Sequence, residues 1–492
     1  MRQWSPEQIA IFGWFGTSIP DDRALVEAGA GCAKTSTLIE GLKYAKEHRI
    51  LLTAFNKRIA EELQRQITNP NAQAKTLHGL GTGIVLRNWQ TSNFKIAIDG
   101  GRGKRLAQKV AGLGTPDAII ACIAKLADLG KQMAPYAQSG HDLEDVALKM
   151  DCLPDLEWEE EGWTLERVAE LAHKAMLVAK EKDGSIDFTD MIWLPLAHGW
   201  VRPAYDLVCV DEVQDLGIAQ IELATRSVAK GGRAIAVGDE NQAIYGFRGA
   251  DSESITRLAK AWPNAKRFTL TVTRRCAKSI VKEAQQIVPR YFAAPEAKEG
   301  IVRSLARAKL GAEVQPGDRV ISRKNAPLIG ACLEVLRLGK RAKVEGKDIG
   351  KGLIALIRKL KGKSMPDLFK RLGVWETREI ARVRAMANAK PEIIESKVME
   401  VADRAETLRV LAEGLSGVKE LEARIEGLFE DGADSGFVVF STIHKVKGLE
   451  SERAFILRNT LASGKRAGNR EEMNCVYVAI TRAKNELIWV EG

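Results

Sequence analysis

The stretch EAGAGCAKTSTL, residues 27–38, sets small residues ahead of Lys34 and Thr35. A small-residue loop that opens a helix aims backbone N–H groups and a positive dipole end at a phosphate. At this spacing Lys34 would neutralise phosphate charge and the Thr35 hydroxyl would hold Mg2+. Ala28, Gly29, Ala30, Gly31, Cys32, Ala33, Lys34, Thr35 and Ser36 form the candidate binding loop. The glycine expected before the lysine is Ala33 instead. A β–α turn that binds nothing also fits these residues.

A second group is LVCVDEVQD, where an apolar run delivers Asp211 and Glu212. Asp211 suits a metal holder, and Glu212 a general base that polarises the attacking water. A solvated acidic turn is the plainer reading, and a phosphate loop on the same sheet argues against it. The third group is VGDENQAIYGFRGAD. Gln242 is placed to sense a γ-phosphate or a water. Tyr245 and Phe247 flank a glycine, and Arg248 follows. Aromatics beside an arginine stack on unpaired bases, at about 1–3 kcal/mol per base. Core packing would explain one such aromatic in a polar loop more readily than two.

These groups need strands and helices to position them. RALVEA (23–28), RILLTAF (49–55), YDLVCVDE (205–212) and RAIAVGDE (233–240) read as buried strands. Helical patterns follow the first two, over 35–48 and 56–67. Strands alternating with helices predict parallel α/β units, which place chemistry at the carboxyl ends of strands. Between Gly79 and Ser185 the strand pattern gives way to helical runs at 101–113, 116–133 and 164–182. A second α/β series is expected from RFTLTV (267–272), continuing through 318–323, 437–442, 453–458 and 486–490. The two series are candidate structural duplicates.

Bulk properties set limits on the function. A chain of 492 residues suggests two to four domains at ~100–200 residues each. Lysine and arginine exceed aspartate and glutamate by 74 to 64, a net charge of +10. That excess fits a polyanionic partner, and equally a generally basic surface. Seven cysteines without metal-ligand spacing point to a reducing compartment. No secretory leader and no long apolar span is recognisable, so a cytoplasmic location with no membrane partner is expected.

AGAGCAKT, VDEVQD, GDENQAIYGFRGA, STIHKVKGLE and YVAITRAK stand in the order of superfamily 1 DNA helicases of the UvrD/Rep type. The chain resembles that family from Gln8 to Lys484, and its compact phage-type or Fbh1-like members in length. The resemblance implies an α/β fold of two RecA-like parallel-sheet domains with helical insertions. The first domain would take 1–84 and 186–268, with a helical insertion at 85–185. The second would take 269–349 and 432–492, with a reduced insertion at 350–431. That insertion is either a small packing element or a duplex-binding or autoregulatory module.

The resemblance also implies ATP and Mg2+ as cofactors, hydrolysis between the two domains, and 3′→5′ stepping on single-stranded DNA by a monomer. Single/double-strand junctions would be substrates. Gln8 would read the adenine edge, Gln242 would couple the γ-phosphate to the DNA loop, and Glu450 would meet the ribose. Arg275 falls on the γ-phosphate arginine and Arg482 on the arginine finger. Thr76, His78, Tyr245, Phe247, Arg248, Thr442 and His444 would contact the strand. Either histidine also fits a structural hydrogen bonder. Three departures stand out: Ala33, Arg274 in place of an adenine-stacking tyrosine, and the shifted aromatic Phe55. A guanidinium also stacks on a base. A translocase that strips proteins, and a DNA-binding regulator with a degenerate ATPase, are the alternatives. The pathway (repair, recombination, replication or phage defence) stays open.

Overall fold

The computed structural model describes all residues except 1–2, 55, 92–94, 151, 153–160, 245–253, 386–390, 430–435 and 462–468. It divides into two units: residues 1–29 with 33–270, and 30–32 with 271–492. Among the described residues no helix is long and apolar enough to cross a membrane.

The first unit is built on a six-stranded parallel sheet. Its strands are β1 (Arg23–Ala28), β2 (Ile50–Ala54), β3 (Ala72–Thr76), β6 (Tyr205–Val210), β7 (Val228–Gly238) and β8 (Lys266–Leu270). A separate short ladder joins β4 (Ala97–Ile98) to β5 (Ser185–Ile186). The sheet order is β3-β2-β6-β7-β1-β8. Apolar runs form these strands because both sheet faces are covered. Ile50, Leu51 and Leu52 are wholly buried in succession, each side chain contributing about 1.5–3 kcal/mol.

Two expectations are corrected here. RFTLTV does not open the second series: its first residues form β8, which pairs with β1 from Ala24↔Lys266 to Ala28↔Leu270. An apolar run carries no mark of which parallel sheet it joins. The helix expected over 35–48 runs only from Lys34 to Gly41 and continues as turns. β3 was not anticipated, because AQAKT lacks an apolar run and lies at a sheet edge.

The helical stretch after β3 has its own apolar core, including Ile119, Ile123, Leu126, Val168, Ala172 and Trp193. A polar network sits inside it. Arg102 and Asp190 are fully buried and Lys131 nearly so. Arg102 bonds Asp190, Asp183 and the Ala179 carbonyl. Lys131 reaches Asp190 at 2.6 Å and Asp187 at 3.5 Å. Burial opposes the Asp190 charge, but the Lys131 and Arg102 charges outweigh it and hold its carboxyl below the usual range.

The second unit repeats the architecture. A small parallel ladder joins β9 (Val272–Thr273) to β10 (Phe292–Ala293). The main sheet contains β11 (Ile301–Ala306), β12 (Arg319–Ser322), β13 (Ala342–Val344), β14 (Val438–Thr442), β15 (Ser451–Leu457) and β16 (Ala483–Glu491). Its order is β11-β16-β15-β12-β14-β13, all parallel. Between β13 and β14 lie helices Lys347–Leu360, Met365–Arg384, Pro391–Ala412 and Val418–Leu428. Their Leu353, Leu368, Leu408 and Ile425 share one apolar cluster with Leu328, Val344, Phe440 and Phe455. Asp403 accepts from the Asn325 and Ala326 N–H groups, and so caps the helix Asn325–Arg337 from outside.

Replacing Asp190 by alanine takes from the buried Arg102 and Lys131 the carboxylate they share and leaves each with only its partly exposed or longer contact, to Asp183 and Asp187. We expect a loss of about 3–5 kcal/mol in urea unfolding; a loss under about 1 kcal/mol would show that the network is not a stability element. Because the folded carboxyl titrates below its unfolded value, this contribution is complete above about pH 4. It is lost as the pH falls through the folded-state value.

Candidate functional site

In the first unit the carboxyl ends of β1, β6 and β7 lie side by side, because these strands are neighbours in a parallel sheet. The helix Lys34–Gly41 starts just after β1, and no side chain caps its N-terminus. A helix opening of this kind suits an anion. Lys34 is 8% exposed, and its ammonium lies 3.6 Å from Glu212 Oε2. The Thr35 hydroxyl donates to Asp211 Oδ2 at 2.6 Å. Ala28 and Gly29 belong to this unit, whereas Ala30, Gly31 and Cys32 group with the second. Ser36 lies in the first turn of the helix.

Asp211 is nearly buried at the end of β6. Burial, together with the Glu212 charge beside it, pushes its carboxyl up to about 6, against the Thr35 hydrogen bond and the Lys34 charge. A cation in contact would reverse that balance and favour the carboxylate. Mg2+ characteristically takes one or two carboxylates, with substrate phosphates and water completing its shell. The adjacent oxygens of Thr35 and Asp211 fit that donor set.

Two residues here hold left-handed backbone. Ala33 has φ 62° and Glu212 has φ 49°. A non-glycine residue in this region costs roughly 1–2 kcal/mol, and such strain collects at functional sites. The Ala33 position is therefore one that favours glycine. Gln214 Nε2 donates to Glu212 Oε2 at 2.7 Å, and Gln242 Nε2 to Asp239 Oδ2 at 2.6 Å. Burial raises the Asp239 carboxyl, against the Lys34 charge and the Gln242 bond. Gln8 donates from Nε2 to the Thr37 hydroxyl at 2.9 Å while Oε1 accepts from Ser5 N–H. This ties the Gln8 amide to the loop's helix.

Thr76 ends β3 and caps the helix Leu77–Trp89, accepting from Gly79 N–H at 2.9 Å. Burial lowers the basicity of His78, which is neutral at pH 7. Tyr245, Phe247, Arg248 and Phe55 lie outside the described residues.

In the second unit Thr442 repeats the Thr76 device. It ends β14 and caps the short helix Ile443–Val446, which carries His444. Glu450 accepts from Arg275 Nε at 2.7 Å and from Lys484 at 2.8 Å. Burial opposes its charge, but these cations hold its carboxyl below the usual range. Arg482 is 1% exposed. It donates to the Val478 and Leu449 carbonyls and the Thr481 hydroxyl. Burial, reinforced by the Arg275 charge, lowers its guanidinium to about 10, so it stays cationic at pH 7. Arg274 pairs with Glu296 at 2.7 Å.

The structure thus brings Gln8, Lys34, Thr35, Asp211, Glu212 and Gln242 onto one sheet edge, and Arg275, Glu450 and Arg482 into one cluster of the second unit. Gln214 and Lys484 were not singled out from sequence. Gln214 had a signal in its place two residues after Glu212. Lys484 had one in its place two residues after Arg482, at the end of YVAITRAK, while its partner Glu450 is distant along the chain.

A family model for the UvrD/REP helicase N-terminal domain matches residues 16–263, just over half of the chain. One for the UvrD-like helicase C-terminal domain matches residues 379–490. F-box DNA helicase protein 1 of Schizosaccharomyces pombe is 27% identical, across 95% of this chain and 55% of the relative. DNA helicase II of Escherichia coli is 23% identical, across 55% of this chain and 38% of the relative. The PcrA helicase of Leuconostoc citreum is 25% identical, across 54% and 37%. The chain spans about half the length of the first of these relatives, and less of the other two.

Relief of the left-handed strain is directly measurable. Ala33→Gly gains about 1–2 kcal/mol from the backbone and loses about 0.4–1 kcal/mol to added unfolded-state freedom. The variant is expected to be the more stable by up to ~1.6 kcal/mol in urea unfolding. A less stable glycine variant would show that Ala33 carries no such strain.

Proposed function

We propose, from the premise that the chain belongs to the UvrD/Rep helicase family, that it is an ATP-driven motor that moves on single-stranded DNA and unwinds duplex. The observation that carries this reading is the Thr35–Asp211 hydrogen bond of 2.6 Å, with Lys34 and Glu212 beside it. A phosphate-binding loop, a metal-holding carboxylate and a base for water on one sheet edge are the parts that phosphoanhydride hydrolysis requires.

Each residue then has a role. Lys34 neutralises phosphate charge, and the loop's helix adds its dipole. Thr35 and Asp211 hold Mg2+, which would neutralise charge on the phosphate oxygens. Glu212 takes the proton of the attacking water. Gln8 meets the adenine and Gln242 the γ-phosphate. Arg275 and Arg482 meet charge developing on the transferred phosphoryl group, where a positioned cation lowers the barrier most. Glu450 meets the ribose and Arg274 stacks on the base. Thr76, His78, Tyr245, Phe247, Arg248, Thr442 and His444 contact the strand, with 3′→5′ direction taken from the family resemblance. The chain acts as a monomer at single/double-strand junctions in the cytoplasm.

One observation favours a second reading. Ala33 holds a backbone conformation that suits glycine, which would weaken the loop and leave a DNA-binding regulator.

ATP hydrolysis with and without single-stranded DNA separates the two. A motor shows strong DNA stimulation, and Lys34→Ala lowers the rate by about 10²-fold or more. Native hydrolysis that is absent and restored by Ala33→Gly would establish the regulator. Strand displacement on tailed duplexes then tests unwinding: hydrolysis without displacement marks a translocase.

A further inference from the structure

We propose that Gln214 is a positioning residue that ties the orientation of Glu212 to the turn carrying Asp239 and Gln242, so that the turn governs the hydrolytic base. This rests on the hydrolytic reading above.

Gln214 is 2% exposed and sits in the turn Val213–Asp215, directly after the acidic pair. Its side-chain amide is engaged at both ends. Nε2 donates to Glu212 Oε2 at 2.7 Å and to Asp215 Oδ2 at 3.3 Å. Oε1 accepts from the Asp239 N–H at 3.0 Å. Asp239 Oδ2 accepts in turn from Gln242 Nε2 at 2.6 Å. A chain of three bonds, none longer than 3.0 Å, therefore joins the base to the proposed γ-phosphate sensor.

The chemistry of the amide makes the arrangement one-way. A flipped amide would set its oxygen against a carboxylate and its NH2 against an N–H donor. Glutamate would repel Glu212, and asparagine is one methylene short. The backbone also leaves no slack, since a Cβ on Gly238 would lie 2.7 Å from Gln214 Oε1. Glu212 itself has left-handed backbone, so its carboxylate direction depends on what holds it. Gln242 stands three residues before Tyr245 in the sequence. A shift of that turn when DNA binds would pass through Asp239 and Gln214 to the base. Buried polar chains of this kind act as units rather than as sums of pairs.

Steady-state ATP hydrolysis at saturating single-stranded DNA tests the relay, with Gln214→Met, Gln242→Ala and the double variant. We expect Gln214→Met to lower kcat about 10-fold or more, and to leave KM for ATP within about twofold. The double variant should be no slower than the slower single variant, because both changes break one chain. A folded Gln214→Met protein with parental kcat would overturn the proposal, as would losses that multiply in the double variant. Should Gln214→Met fail to fold by circular dichroism, Gln214→Glu, which keeps the size and the Asp239 contact, carries the same comparison. A parent chain without DNA-stimulated hydrolysis overturns the motor reading and the relay together. A stimulated parent whose variants multiply overturns the relay alone.

Discussion

Strand β1 lies between β7 and β8, with β6 one place further along. All of these strands run in the same direction. Parallel pairing therefore delivers the loop after β1, the acidic pair after β6 and the Asp239 turn after β7 to one edge. Antiparallel pairing of the same neighbours would send the Asp239 turn after β7 to the opposite edge. The Thr35–Asp211 contact joins residues far apart in the chain, and it requires β1 and β6 to end at the same edge.

The same edge concentrates cost. Ala33 and Glu212 have left-handed backbone, Asp211 and Asp239 are carboxyls buried among carboxyls, and Lys34 is a nearly buried ammonium. The sheet beneath, with fully buried runs such as Ile50–Leu52, offsets that cost. Carboxyls raised by burial beside an ammonium suit the polyphosphate and divalent cation proposed for the site.

The helices between β13 and β14 share a single apolar cluster with the second sheet, and Asp403 caps a helix of that sheet's layer. This continuity makes the helices part of the second unit's own core. Arg482 shows a related economy. Its guanidinium is seated on backbone carbonyls, which hold the cation in one direction.

The sequence by itself determined most of the strands and singled out the candidate residues of the site. Buried parallel strands are near-continuous apolar runs, and a phosphate loop or an acidic strand end is a local pattern. It left four matters to the tertiary structure. RFTLTV joined the first sheet, because an apolar strand does not encode its partner. AQAKT became an edge strand without an apolar signature. The positive φ at Ala33 belongs to the folded loop, and no residue type states it. Gln214 and Lys484 meet Asp239 and Glu450, partners distant along the chain that only folding brings within hydrogen-bonding distance.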